Sequence, residues 1–223
     1  MVHMTIKLVT KRPVESVLWQ DYRASETGMI VYYASDPVSE VPIREIPEEL
    51  ESPVQPEPHY ESGTFGLYGC VHPKIRKAFY KEHNRHLFFV TKYVGTDEDY
   101  RDKVLLTGYY RIVKTADAKK FHLRYCPEYG CIDSEDCVAL RAGEVKFLST
   151  EDAMVITDEV LKEWNFNQKL TRQSRIILNQ EQTAKLVEYF KSKDNSLEDY
   201  LYETKRLQPH DPDGEEEDGE ASE

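Results

Sequence analysis

"HLFFVTKYVGTDEDYRDKVLLTGYYRIV" (residues 86–113) is the stretch that decides the fold class. Its first part, residues 86–95, is a short run rich in Phe, Val, Thr and Tyr, residue types that fit a buried, pleated surface. Its last part, residues 103–113, has the same character, and the acidic segment "GTDEDYRD" lies between them. Two such runs joined by a short polar turn read as neighbouring strands of one sheet.

Outward from this pair, "MTIKLVT" (4–10) and "GMIVYYAS" (28–35) read as strands upstream, and "FHLRY" (121–125) and "GEVKFLS" (143–149) continue the series downstream. "HPKIRKAFYKEH" (72–83) reads as a helix: Pro73 suits a first helical position, and Ile75, Ala78 and Phe79 make an apolar face. After residue 150 the period changes to helical. "TDEVLKEW" (157–164) starts on Thr157 as a cap and groups Val160, Leu161 and Trp164. "NQEQTAKLVEYF" (179–190) pairs Asn179 with Gln182 in a capping-box pattern, with Ala184, Val187 and Phe190 as its expected buried face. "SLEDYLYETKRL" (196–207) opens on Ser196 and Asp199 and buries Leu197, Tyr200 and Leu201. These strands lie too close together for successive βαβ units. The expected fold is α+β: a bent, mostly antiparallel sheet of about six or seven strands, or a partly closed β-barrel, with flanking helices.

At 223 residues and 39% hydrophobic composition, residues 1–207 suit a single domain of this kind. Residues 36–63 hold six Pro and eight acidic residues without a lasting period, which predicts a long irregular insertion. Residues 208–223 form an acidic tail with nothing apolar larger than Ala beyond Pro, so disorder is expected there. The formal charge of −12 is concentrated in that tail: without the eight acids of residues 211–223 it falls to −4. No apolar run reaches membrane-spanning length and the N-terminus lacks a signal-like core, so a cytoplasmic protein with no membrane partner is expected. Four Cys without such a signal are expected to be reduced.

Three groups of residues carry candidate chemistry. Lys74, Arg76, Lys77 and Lys81 form a basic helix face suited to phosphates, and aromatic strands follow it; the plainer alternative is a solvated helix face that happens to be basic. Cys126, Cys131 and Cys137, with Cys70 far upstream, are spaced more loosely than paired zinc ligands, so a zinc site stands beside the simpler alternative of unrelated thiols. Glu144 and Lys146 share a strand face beyond Asp136, the order found in Mg²⁺-dependent PD-(D/E)xK nucleases, although E-x-K is common by chance in a chain with 31% charged residues. No Walker A loop, dinucleotide fingerprint, nucleophile elbow or H-E-x-x-H motif is present.

From residue 86 to 190 the order of features resembles the PUA-like superfamily, in particular its EVE, ASCH and YTH branches. "HLFFVTKY" precedes "LLTGYYRIV"; "EVKFLS" leads to "LKEWNF"; a basic link, "KLTRQSRIIL", runs into "NQEQTAKLVEYF". Arg175, Ile177 and Glu181 approximate the closing segment of that superfamily. The resemblance covers under half the chain and is one of order and spacing. It implies a small bent β-barrel that binds RNA or DNA, often holding a modified or flipped base in an aromatic pocket. The matching aromatic positions are Tyr109, Tyr110 and Trp164. The leading expectation is therefore a non-enzymatic nucleic-acid-binding module. Lys74, Arg76, Lys77 and Lys81 would lie on phosphate, Tyr110 and Trp164 on a base, and Arg172 and Arg175 on a second basic edge, with no cofactor required. The alternatives are the nuclease built on Asp136, Glu144 and Lys146, and a protein-interaction module with a cysteine-based zinc site.

Overall fold

β4 (Asn84–Lys92) and β5 (Val104–Asp117) form the central antiparallel pair of the computed structural model, with Leu87 opposite Tyr110 and Phe88 opposite Tyr109. The structure describes residues 17–33, 58–67, 78, 81–93, 95–117, 138–171 and 174–200. The acidic connection between β4 and β5 contains a 3-10 turn, Glu98–Tyr100, started by Asp97, whose side chain accepts from the Asp99 amide.

Around this pair lie β1 (Gln20–Asp21), β2 (Ser25–Tyr32), β3 (Thr64–Phe65), β6 (Val138–Phe147), β7 (Met154–Val155) and β8 (Arg175–Leu178). The eight strands make one mixed sheet in the order β3-β6-β5-β4-β2-β8, with β1 and β7 both added to β5. Every pairing is antiparallel except β2 with β4. A parallel pair cannot be closed by a tight turn, so the long connection between Tyr32 and Asn84 is a crossover. Register shifts at Phe89/Val90 against β5 and between Arg111 and Lys114 against β6 are the irregularities that bend strands. The sheet ends at β3 and β8 and is not closed. The fold is α+β with an open, bent sheet rather than a barrel.

β4 is buried on both faces, as its unbroken apolar run requires. Leu87 and Phe89 point into one core with Met29, Val31, Tyr110 and Ile112. Phe88 joins Ile30, Tyr109, Ile176 and Leu178 on the other. That second face is covered by α1 (Asp158–Glu163) and α2 (Gln180–Lys191), which contribute Leu161, Leu186 and Phe190, with Trp164 at the end of α1. Gly28 lets α2 approach: a Cβ there would lie 2.8 Å from Phe88 Cε2 and 3.1 Å from Thr183 Oγ1.

The caps expected for α1 and α2 are present. Thr157 accepts from the Val160 amide, and Asn179 and Gln182 close the capping box from both sides. The buried face of α2 is rotated from the expected one. It is Thr183, Leu186 and Phe190, while Ala184 is exposed and Val187 half-buried. Thr183 tolerates burial because its hydroxyl donates to the Asn179 carbonyl, and the same hydroxyl oxygen lies over Gly28. Residues 175–178, read from sequence as part of a basic link, are a strand. The end of the Pro/Glu-rich stretch also packs against the sheet. His59 bridges Thr64, Gly63 turns the chain at φ 62°, and Tyr60 enters the core. Of residues 72–83, Ala78, Lys81 and Glu82 are helical. His83 is a turn residue at φ 52°, while residues 72–77, 79 and 80, the expected strands 4–10 and 121–125, and the tail lie outside the described residues. Among the described residues, no helix is long and apolar enough to cross a membrane.

Candidate nucleic-acid interface

α1 ends in a way that builds a cleft. Its last residues run Leu161, Lys162, Glu163, Trp164, and Asn165 follows at φ 59° in the left-handed region that Asn tolerates. The Asn165 amide donates to the Lys162 carbonyl and the Phe166 amide to the Leu161 carbonyl, the paired bonds of a Schellman motif. The chain therefore reverses and sets Phe166 beside Leu161. Residues 167–170 then run back along the helix and enclose a cleft of about 650 Å³.

The cleft separates apolar from polar groups. Val104, Ile156, Leu161, Phe166 and Leu170 form its wall and are buried or half-buried. Asp158, Lys162, Asn167, Gln168 and Lys169 also line it and are exposed. Val104 and Ile156 are held together by the Ile156 amide, which donates to the Val104 carbonyl across the β5–β7 edge. The volume lies in the range of sites for small molecules or single nucleotides. An apolar wall with exposed hydrogen-bonding groups beside it suits an aromatic ring with polar edges, and the two lysines supply charge for an anionic substituent.

The residues singled out from sequence fall in several places. Trp164 caps α1 but is only 6% exposed, in the core beneath the helix. Tyr110 is wholly buried on the opposite face of the sheet, edge-on to Tyr60 and Phe89, so neither of its faces is open to a base in this structure. Tyr109 is 1% exposed. The aromatic ring that lines the cleft is Phe166. Arg175 is exposed on β8, five residues after Leu170, and just before it Ser174 Oγ accepts from the Thr171 amide. Lys81 is exposed. Lys74, Arg76, Lys77 and Arg172 lie outside the described residues, as do Cys70, Cys126, Cys131 and Cys137. Sequence reading missed Asp158, Lys162, Phe166 and Lys169 as a group. The available signal was Asn165 directly after a helical period, a stop that folds the next residue back.

The nuclease residues are not assembled among the described residues. Asp136 lies outside them. Glu144 stands opposite Arg111 in the β5–β6 register. The Lys146 ammonium donates to the carbonyls of Phe190 and Lys193, closing the C-terminal end of α2 rather than standing free beside Glu144. Among the described residues, no three His, Cys, Asp or Glu side chains converge as metal ligands would.

A second polar group lies within the sheet. His86 Nε2 is 2.8 Å from Glu26 Oε2, and His86 Nδ1 is 3.0 Å from the Tyr109 hydroxyl. The carboxylate can only accept, so Nε2 carries the ring proton and Nδ1 accepts from Tyr109. Arg85 lies 3.4 Å from Glu26 Oε1 and donates to the carbonyls of Tyr22, Ala24 and Ile112. With His86 at 5% and Tyr109 at 1% exposure, this group ties β2, β4 and β5 together, and its exposed end is the Glu26 carboxylate.

It does make stability pH-dependent. Burial holds His86 below the ordinary imidazole range; the Glu26 hydrogen bond and charge oppose this, and Arg111 and Arg85 reinforce it. For Glu26, partial burial pushes the carboxyl up, but the His86 hydrogen bond and the charges of His86, Arg111 and Arg85 outweigh it and leave it low. Both groups titrate lower folded than unfolded, so the unfolded chain takes up protons first. Their contribution is complete above the unfolded imidazole value of about 6.5 and is lost as pH falls. The urea midpoint should drop between pH 7 and 5, and His86→Gln should flatten that drop. An unchanged slope in the variant would remove His86 as its source.

No family model, curated protein or solved structure matches this chain.

Proposed function

We propose that the protein is a nucleic-acid-binding module that holds one unstacked base of a single strand in the α1 cleft. The observation that carries this reading is the cleft itself: a recess of about 650 Å³ walled by Phe166, Leu161 and Leu170 and lined also by the exposed Lys162 and Lys169. Every base has an apolar face that can stack on an aromatic ring, and every nucleotide brings a phosphate for a lysine. Arg175 and Lys81 add exposed cations for the flanking backbone, and Lys74, Arg76, Lys77 and Arg172 extend that set in the sequence. Phe166 takes the stacking role first expected of Tyr110 and Trp164. The order of features over residues 86–190 supports a PUA-like module, although the sheet is open where that resemblance implies a barrel.

The test is fluorescence anisotropy with labelled single-stranded RNA and DNA over a range of salt. Affinity should fall steeply with salt. Replacing Lys162 and Lys169 by Ala should weaken binding and flatten the salt dependence by about 0.7 log unit per lost phosphate contact. Phe166→Ala should weaken binding by an amount on the order of tenfold with little change in slope, because stacking releases few ions. Absence of binding at low salt, or binding that ignores all three substitutions, rejects the reading.

A further inference from the structure

The wall of the cleft carries one carboxylate, Asp158, together with the carboxamides Asn167 and Gln168. A carboxylate at a phosphate-binding surface is unfavourable unless it has donors of its own to meet. Among the described residues, the side chains of Asp158, Asn167, Gln168 and Lys169 hold no hydrogen bond or ion pair within the protein. These four residues line an apolar recess, where their polar groups can meet the edge of a ring placed inside it.

The four bases present different edges to such a group. Guanine alone puts two donors side by side, N1–H and the 2-amino group, and these match the two oxygens of a carboxylate as a bidentate pair. Adenine and cytosine each place a ring acceptor beside their single amino group, and that acceptor repels a carboxylate. Uracil and thymine offer one N–H between two carbonyls. Beyond the paired donors, guanine O6 and N7 accept, and the amide N–H groups of Asn167 or Gln168 can supply what they need.

Resting on the nucleic-acid reading above, we propose that the cleft selects guanine, with Asp158 as the discriminating residue. Phe166 and Leu161 hold the ring by its faces, Asp158 reads the N1–H/2-amino edge, and Lys162 and Lys169 hold the backbone. Asp158 is exposed and contributes nothing to the core, so its substitution leaves the fold intact.

The experiment uses the full chain and labelled oligonucleotides that are abasic except at one guest position. RNA and DNA series are read by anisotropy at one low salt concentration. The guanine guest should bind at least about tenfold more tightly than the adenine, cytosine or uracil/thymine guests. Hypoxanthine, which lacks the 2-amino group, should lose several-fold relative to guanine, and this arm needs no protein variant. Asp158→Asn should bring the four guests to similar affinity, weakening guanine and strengthening adenine and cytosine, whose ring acceptors no longer face a carboxylate. Equal affinity for all four guests in the wild-type protein overturns the proposal, as does a guanine preference that survives Asp158→Asn or the change to hypoxanthine. Binding without base preference rejects guanine selection alone; failure to bind any of these oligonucleotides, or a base-rich single strand, rejects the nucleic-acid reading with it.

Discussion

Gly108→Ala is expected to lose at least about 3 kcal/mol of folding stability, at the upper end of what overpacking a core does. A Cβ at this position would lie 1.8 Å from the Tyr60 hydroxyl and 2.8 Å from its Cζ. Tyr60 has nowhere to retreat, because its ring is held edge-on by Phe89, Tyr110, Phe147 and Tyr200 at centroid distances of 6.0, 5.5, 5.1 and 5.2 Å. The strand must shift or the 58–64 turn must leave the core. Adding Tyr60→Phe removes the atom in closest conflict and should recover part of the loss, so the two changes are non-additive. Urea unfolding of the two single variants and the double variant measures this. A Gly108→Ala protein as stable as wild type would show that the Tyr60 ring does not occupy this position.

Trp164→Ala is expected to cost about 3–5 kcal/mol, the range for deleting a buried aromatic side chain. Trp164 is 6% exposed and belongs to the core shared with Leu161, Phe88, Tyr109 and Phe190. Its backbone amide also closes α1 by donating to the Val160 and Leu161 carbonyls. Ala keeps that amide, so the loss is of the indole's packing against Leu161, which loosens the element that forms the cleft wall. Trp164→Phe, which fills more of the space, should be markedly less harmful. Melting temperature and anisotropy on the same samples separate the possible roles. If Trp164→Ala melted like wild type but bound oligonucleotides poorly, the indole would be a stacking surface, and Phe166 would not be the principal aromatic contact.

The contrast between Trp164 and Phe166 illustrates what a linear reading resolves. The spacing of Val160, Leu161 and Trp164 identified an apolar helix face, and that face is where Leu161 and Trp164 are buried. An aromatic residue on a helix period is more readily a core residue than a binding one, because the same periodicity that reveals it also turns it inward. Phe166 lies past the helix and off its period. It reaches the cleft only because Asn165 reverses the chain, so no periodicity marks it. Lys146 poses a similar problem: next to Glu144 in sequence it resembles a catalytic lysine, but it is engaged by the end of a helix more than forty residues away.

What the sequence by itself determined are the features governed by near neighbours. The runs over 86–95 and 103–113 specify β4 and β5 as paired strands, since a short polar connection leaves few other arrangements. Thr157, Asn179 and Gln182 specify where the two helices begin, since caps are satisfied within three residues. Tertiary structure decided the rest. The parallel pairing of β2 with β4 depends on a crossover of about fifty residues. The rotation of α2 depends on the absence of a side chain at Gly28, in a strand far away in sequence. The burial of Tyr60 depends on Gly108, and the cleft depends on a loop folding back over β5 and β7. Each of these is a close approach between segments distant along the chain, set by shape and packing that near-neighbour propensities do not encode.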